Sequence, residues 1–435
     1  MIMPMSPDFE KRLNEKLPKI IDRFGTPFHI LDEKGIREAC SRLSIAFEGF
    51  DGYRNFFAVK ACPRFEVLKI VQSMGMGFDC SSPAELKMVR EIGARPEGII
   101  YTSNNTPLSE YIEALSYGGC ILNLDDDSFI KKVTAIKEIS GMPERLCLRY
   151  NPGDIRGGEN EIIGEPTEQK YGTPHERIVA AYRLAKEAGV KYFWLHTMIA
   201  SNTLKVDYIA ETARMLLNVL VLLKKELGIE IEAINIGGGM GIPYHPNVDV
   251  FDIIGLTNKI SQIMVDFSGK LGYFPRIVSE MGRYVTGPSG VLVTRCINKM
   301  HKYKTFIGVD ASMSANPRPA IYSTPKEECY HHISVVDRAS SETEVVNVVG
   351  SLCENNDQFA KERVLPVINE GDPLIIQDTG AHALAMGGPY NARLLPQELL
   401  SCVDGSVRLI KEAETYEDYV KTQRRAMNNP QILTF

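Results

Sequence analysis

At 435 residues, 44% of them hydrophobic, the chain exceeds what one hydrophobic core usually supports, so two domains are expected, with ample apolar content to fill both. The formal net charge of −6 is small, and acids and bases are interspersed. That argues against a nucleic-acid footprint or a membrane-surface patch and leaves a small molecule as the expected ligand. The start, MIMPMSPDFEKRL, lacks the basic region and apolar run of a signal peptide, and no stretch approaches the roughly 20 apolar residues that span a bilayer. The nine cysteines show neither a C-x-x-C pair nor metal-ligand spacing with histidine. A cytoplasmic protein with reduced thiols and no metal is the expectation.

An early β-rich run, PFHILD, is followed by eight more between residues 54 and 285: RNFFAVKA, GFDCSS, GIIYTS, CILNLD, LCLRYN, YFWLHT, EAINIGGG and RIVSEMG. Most of the segments between them have helical periodicity, such as AELKMVREIG and DYIAETARMLLNVLVLLKKELG. Strand and helix alternating eight times predicts a (β/α)8 barrel of the TIM type over residues 34–288. After about residue 289 the pattern changes to strands with little helix, among them VLVTRCIN, KTFIGVDAS, HHISVVD, TEVVNVVG and DPLIIQDTG. Residues 1–33 and 289–435 are therefore expected to form a second, β-rich sandwich or barrel, with PFHILD pairing into its sheet.

Barrel active sites are built at the C-terminal ends of the strands, and polar residues collect there. Lys60 closes the first run, Asp79 the second, Arg149 the fifth, His196 the sixth, Gly237, Gly238 and Gly239 the seventh, and Glu280 with Arg283 the eighth. Burial among the apolar residues of FFAVKACP would lower the pKa of Lys60 and suit it to react with an aldehyde. A glycine run lets backbone N–H groups cradle a phosphate. Glu280 could face a pyridine nitrogen and keep it protonated, and the flat ring of His196 could stack on a cofactor face. Taken singly, each has a plainer reading: a strand-end lysine, a tight turn, a capping acid, a core histidine, an ion-paired arginine. At one mouth of one barrel, they describe a phosphate-bearing aldehyde.

From about residue 24 to about residue 402, ordered motifs resemble the fold type III pyridoxal-phosphate decarboxylases, the group holding ornithine, arginine and diaminopimelate decarboxylases. They include FGTPFHILD, FFAVKACPRFEVLKIVQSMGMGFDCSSPAEL, LRYNPG, INIGGGMGIPY, SEMGRYVTGPSGVLV, RPAIY, LCENND and IIQDTGAHALAMGGPYNARLLP. The resemblance implies pyridoxal 5′-phosphate as cofactor, with Lys60 joined to its aldehyde, Glu280 at its ring nitrogen and His196 on its ring face. Gly238, Gly239, Gly282 and the backbone from Glu280 to Arg283 would hold the phosphate, and Asp79, Glu85 and Arg149 would surround the cofactor. It also implies that Cys353, acting from the neighbouring subunit of a homodimer, returns a proton to the substrate. Arg283, Arg318 and Tyr322 match the positions that hold a second carboxylate in the diaminopimelate-specific members, and Glu354 matches the position that takes the distal amino group. The implied reaction is decarboxylation of meso-2,6-diaminopimelate to L-lysine and CO2, a step of lysine biosynthesis.

Four departures stand out. Met281 replaces the usual proline, HTMIASN (196–202) replaces the usual stretch after the ring histidine, Asn355 replaces a serine, and His382 replaces a tyrosine at the phosphate and substrate. Ser201 or Asn202 stands where the serine contact is expected, and an imidazole at 382 brings a charge that varies with pH. Alternatives are a decarboxylase of D-ornithine, D-lysine or a carboxylated polyamine precursor, an alanine-racemase-like enzyme, and a non-catalytic cofactor-binding or regulatory homologue. The Arg283 and Arg318 pair weighs against a purely cationic distal end, and the Cys353 motif against a racemase or a decoy.

Overall fold

The computed structural model describes residues 5–159, 164–324, 328–336 and 342–431. The chain enters through helix α1 (Pro7–Phe24) and strand β1 (Phe28–Asp32) and then winds around a barrel. The barrel strands are β2 (Arg54–Ala58), β3 (Gly77–Cys80), β4 (Ile99–Tyr101), β5 (Ile121–Leu124) and β6 (Arg145–Asn151). After the two-residue β7 (Thr173–Pro174) come β8 (Tyr192–His196), β9 (Ile231–Asn235) and β10 (Arg276–Ser279). Every barrel pairing is parallel, and the circuit closes through Val278 opposite Arg54 and Leu122 opposite Leu146. The eight runs read from the sequence are these eight strands.

The barrel interior is layered by the two-residue period of its strands. Phe56, Ile100, Ile121, Cys147, Trp194, Ala233 and Val278 form one buried apolar cluster drawn from seven strands. Two residues further along the same faces stand Ala58, Thr102, Asn123, Arg149, His196, Asn235 and Glu280. Arg149, His196 and Asn235 are direct neighbours in register across β6, β8 and β9. The apolar layer is thus the floor on which a polar layer rests at the strands' C-terminal ends.

A second sheet of nine strands holds β11 (Gly290–His301), β12 (Thr305–Val309), β13 (Ile333–Val335), β14 (Thr343–Val349), β15 (Gln358–Pro366), β16 (Pro373–Ile376), β17 (Gln397–Ser401) and β18 (Val407–Lys411), together with β1. The last residue of HHISVVD, Asp337, lies outside the described residues. Strand β1 sits between β11, antiparallel, and β17, parallel. Residues 1–33 also contribute α1, whose Phe9, Leu13, Leu17 and Ile20 pack on Phe28, Ile30, Val291 and Leu399. Its start is set by Ser6, whose hydroxyl accepts from the Phe9 N–H at 3.2 Å, and by Pro7 in the first turn. No helix among the described residues is long and apolar enough to cross a membrane.

Candidate active site

Lys60 lies in the 3₁₀ turn Val59–Ala61 just past β2, with its side chain half exposed and its Nζ 3.4 Å from Asp79 Oδ2. It opens into a pocket shared with Met198, Ser201, Asn202, Gly238, Gly239, Glu280, Gly282, Arg283 and His382. Burial alone would lower the lysine's pKa, the direction expected from its apolar sequence neighbours. The nearby carboxylates of Asp79, Glu280 and Glu85 outweigh it, and the pKa is raised. Burial and the proximity of Glu280 push the Asp79 carboxyl up to about 7, against the pull of Lys60. One Asp79 oxygen, Oδ1, meets no hydrogen-bond partner at bonding geometry among the described residues. Glu85 accepts the Ser81 N–H at 2.6 Å, which ties it to the start of the helix Pro83–Glu91.

His196 is 1% exposed and is absent from the pocket wall, whereas Met198 is on it. The expected stacking histidine instead sits in a buried polar row beneath, with its Nε2 lacking a hydrogen-bond partner at bonding geometry among the described residues. Asn123 Nδ2 lies 2.9 Å from His196 Nδ1, His196 Nε2 lies 3.4 Å from Glu280 Oε2, and Asn235 Nδ2 donates to Glu280 Oε1 at 2.7 Å. Burial opposes ionisation of Glu280, but His196, Lys60 and Asn235 together carry its pKa below the usual carboxylate value. Burial lowers the pKa of His196 despite Glu280. Asn123 and Asn235 were not singled out in the sequence, although both occupy the polar layer two residues beyond the apolar one.

Arg149 is also committed to the barrel wall. Its guanidinium lies 3.8 Å from Asp125, donates to the Met198 carbonyl at 3.2 Å and stacks 4.1 Å above the Tyr171 ring. The glycine loop follows β9 with Gly237 at φ 68° and Gly239 at φ 105°, and the Gly238 N–H points at Met198 Sδ, 3.3 Å away. A Cβ at Gly238 would stand 2.9 Å from the Glu280 carbonyl oxygen, and one at Gly239 2.8 Å from Ala200 Cβ. Glycine is needed for this backbone to lie against both neighbouring segments.

Arg283 donates to the Tyr244 hydroxyl, and the Arg318 guanidinium lies 4.2 Å over the Tyr244 ring. Arg318 Nη1 donates to His331 Nε2 at 2.9 Å, and His331 Nδ1 donates in turn to the Gln377 carbonyl at 2.8 Å. Burial and Arg318 drive the His331 pKa well below its ordinary value, so it accepts as a neutral ring. Tyr322 stands with its ring 6.0 Å from Arg318. Tyr244 and His331 are neighbours of the two arginines that the sequence did not reveal. Arg318, Tyr244, Tyr322 and Tyr330 line an adjoining cavity that shares Asn202 with the Lys60 pocket.

His382 lines the Lys60 pocket in a left-handed conformation (φ 56°), anchored by its N–H to the Ala61 carbonyl at 2.9 Å. Burial, with Arg283, Lys60 and Arg318 nearby, drives its pKa well below 6.5. That direction favours the neutral ring over the pH-dependent charge expected from the sequence. Cys353 is exposed, with its N–H bonded to Asn391 Oδ1 at 2.6 Å, and neither it nor Glu354 lines the Lys60 pocket of its own chain.

The pocket's donors fit a phosphorylated pyridoxal. An amine points into it, an ionised carboxylate stands across from the amine, and a glycine loop without Cβ atoms edges it. The family model for the pyridoxal binding domain of pyridoxal-dependent decarboxylases matches residues 33–287. Protein TabA of Pseudomonas amygdali pv. tabaci is 38% identical over 418 residues, covering 96% of each chain. Diaminopimelate decarboxylase of Methanothermobacter thermautotrophicus is 34% identical, covering 93% of each. The crystal structure of diaminopimelate decarboxylase from Methanocaldococcus jannaschii in complex with L-lysine superposes with a TM-score of 0.85 at 28% identity, covering 93% of each chain. With these residues at the mouth of its barrel, and matched over more than half its length by that model, the chain belongs to the pyridoxal-phosphate-dependent decarboxylases.

Proposed function

We propose that the chain decarboxylates an α-amino acid whose far end carries a carboxylate, with meso-2,6-diaminopimelate as substrate and L-lysine and CO2 as products. The observation that supports this reading is the pair of guanidiniums, Arg283 and Arg318, gathered around Tyr244 beside the Lys60 pocket. Two planar cations suit a carboxylate and repel a distal ammonium. Relatives named diaminopimelate decarboxylase support it further.

When bound, pyridoxal phosphate supplies the electron sink for the pair left at Cα as CO2 departs. Lys60 is the amine that would hold its aldehyde, with Asp79 beside it. Glu280 would keep a proton on the ring nitrogen, and Met198, on the pocket wall, would lie against the ring in place of His196. The Gly238, Gly239 and Gly282 backbone, with Ser201, would hold the phosphate, and His382 would add a neutral imidazole hydrogen bond. Arg283, Arg318 and Tyr322 would orient the distal carboxylate. In a homodimer, Cys353 of the partner subunit would return the proton to Cα and its Glu354 would take the distal ammonium.

The test is CO2 release from meso-diaminopimelate, D- and L-lysine, D- and L-ornithine and arginine. Meso-diaminopimelate should be consumed fastest, by a factor on the order of 10⁴ over an analogue lacking the distal group. Faster turnover of D-lysine or D-ornithine would overturn the distal-carboxylate reading while leaving a decarboxylase. Cofactor uptake without turnover of any of them would point to a binding or regulatory homologue.

A further inference from the structure

Asn123, His196 and Asn235 lie below the pocket, each at most 2% exposed, and Glu280, 6% exposed, joins them to the pocket wall. A neutral imidazole carries one N–H, and its neighbours decide which nitrogen holds it. The Asn123 amide nitrogen lies 2.9 Å from Nδ1 and 3.2 Å from Thr102 Oγ1. An N–H donor at Nδ1 leaves the ring proton on Nε2, the nitrogen 3.4 Å from Glu280 Oε2. With the amide reversed, its oxygen would draw the proton to Nδ1, and the buried Nε2 lone pair would face the Glu280 carboxylate. That arrangement is disfavoured by the cost of an unsatisfied buried acceptor set against the lone pairs of a carboxylate.

We propose that Asn123 is a positioning residue for Glu280, holding His196 as the Nε2–H tautomer so that an N–H rather than a lone pair faces one carboxylate oxygen 3.4 Å away, while Asn235 donates to the other. The inference rests on the reading of Glu280 as the carboxylate that faces the cofactor ring. Asn123 itself does not line the Lys60 pocket.

The full chain contains only eight histidines, so ¹⁵N spectra of histidine-labelled protein can resolve the ring nitrogens, with the His196 signals identified by their loss in His196→Gln. In the unsubstituted protein His196 should show a protonated Nε2 and an unprotonated Nδ1, with or without cofactor. Asn123→Asp keeps the side chain's size but removes the donor, so Nδ1 should become protonated. Asn123→Ala should lose the single-tautomer pattern. Absorbance titration of both variants with free pyridoxal phosphate should show affinity weakened roughly ten-fold or more, as expected for one unsatisfied buried group. A proton on Nδ1 in the unsubstituted protein, or an Nε2–H pattern that persists in Asn123→Asp, would overturn the proposal. An unsubstituted chain that keeps the Nε2–H pattern but binds no pyridoxal phosphate would overturn the functional reading while supporting the tautomer assignment.

Discussion

Lys60 shows how a reactive side chain is defined by its surroundings more than by its sequence neighbours. Its position past β2 was legible, but the carboxylates that raise its pKa come from segments 19, 25 and 220 residues away, at Asp79, Glu85 and Glu280. Replacing Lys60 by Ala should abolish the visible absorbance of bound cofactor together with turnover. A variant that retained both would place the chemistry elsewhere. Arg318 is the corresponding residue at the distal end, 2% exposed and hydrogen-bonded to a neutral His331. Arg318→Met should lower kcat/KM for meso-diaminopimelate by about 2–5 kcal/mol, the usual cost of leaving one partner of a buried charge pair alone. The preference over lysine should narrow in parallel, which a two-substrate comparison would detect. The guanidinium was readable from RPAIY, whereas its partners Tyr244 and His331 were not, because their contacts are made across different chain segments.

At the scale of elements, the barrel was legible because parallel strands write apolar runs with polar residues at their ends. The polar layer follows from the same period: Trp194 points inward, so His196 does too. Past the strand end this rule lapses, and the sequence could not say that Met198 would reach the pocket wall while His196 stayed beneath it. Helix α1 went unread for another reason: its apolar residues face the second sheet, and the strand run beside it dominated the reading. One close approach lies where the barrel passes into the second sheet. A Cβ at Gly380 would stand 1.9 Å from the Thr286 carbonyl oxygen and 3.0 Å from the Gly290 nitrogen, both of them backbone atoms. Gly380→Ala should therefore shift the segment that carries His382. It should cost about 1–3 kcal/mol in a urea unfolding midpoint, as overpacking does, and weaken cofactor retention in the same variant.

For the whole molecule, the exposed Cys353 and the pocket it does not reach lead to a mixing experiment. Combining Lys60→Ala subunits with Cys353→Ala subunits should restore part of the activity, since one interface of the mixed dimer then carries both intact residues. Absence of recovery after demonstrated subunit exchange would count against a shared site. Acid stability should follow the buried histidines. Burial lowers the pKa of His29 to about 3, and His331 and His382 also lie well below 6.5. As pH falls below about 6.5 the unfolded chain takes up protons that the folded rings refuse, so folding stability is lost from there down to the folded pKa. Asp79, raised to about 7, acts in the opposite sense, so the contribution of one histidine is best read as a difference. Relative to His29→Gln, the unsubstituted protein should lose on the order of 2 kcal/mol between pH 8 and pH 5, measured by urea unfolding. A constant difference across that range would show that His29 is not held neutral.

The sequence by itself determined what local pattern can carry: eight barrel strands, a β-rich remainder, a lysine, a glycine loop and an acid at strand ends, and ordered motifs that mark the family. Those features depend on residue spacing along one segment, which the period of a strand or helix translates directly into direction. The tertiary structure decided the rest, because a pKa, a tautomer or a guanidinium's orientation depends on distances between segments. Only there do Asp79, Glu85 and Glu280 outweigh the desolvation of Lys60, does Asn123 meet His196, and does a neutral His331 accept from Arg318.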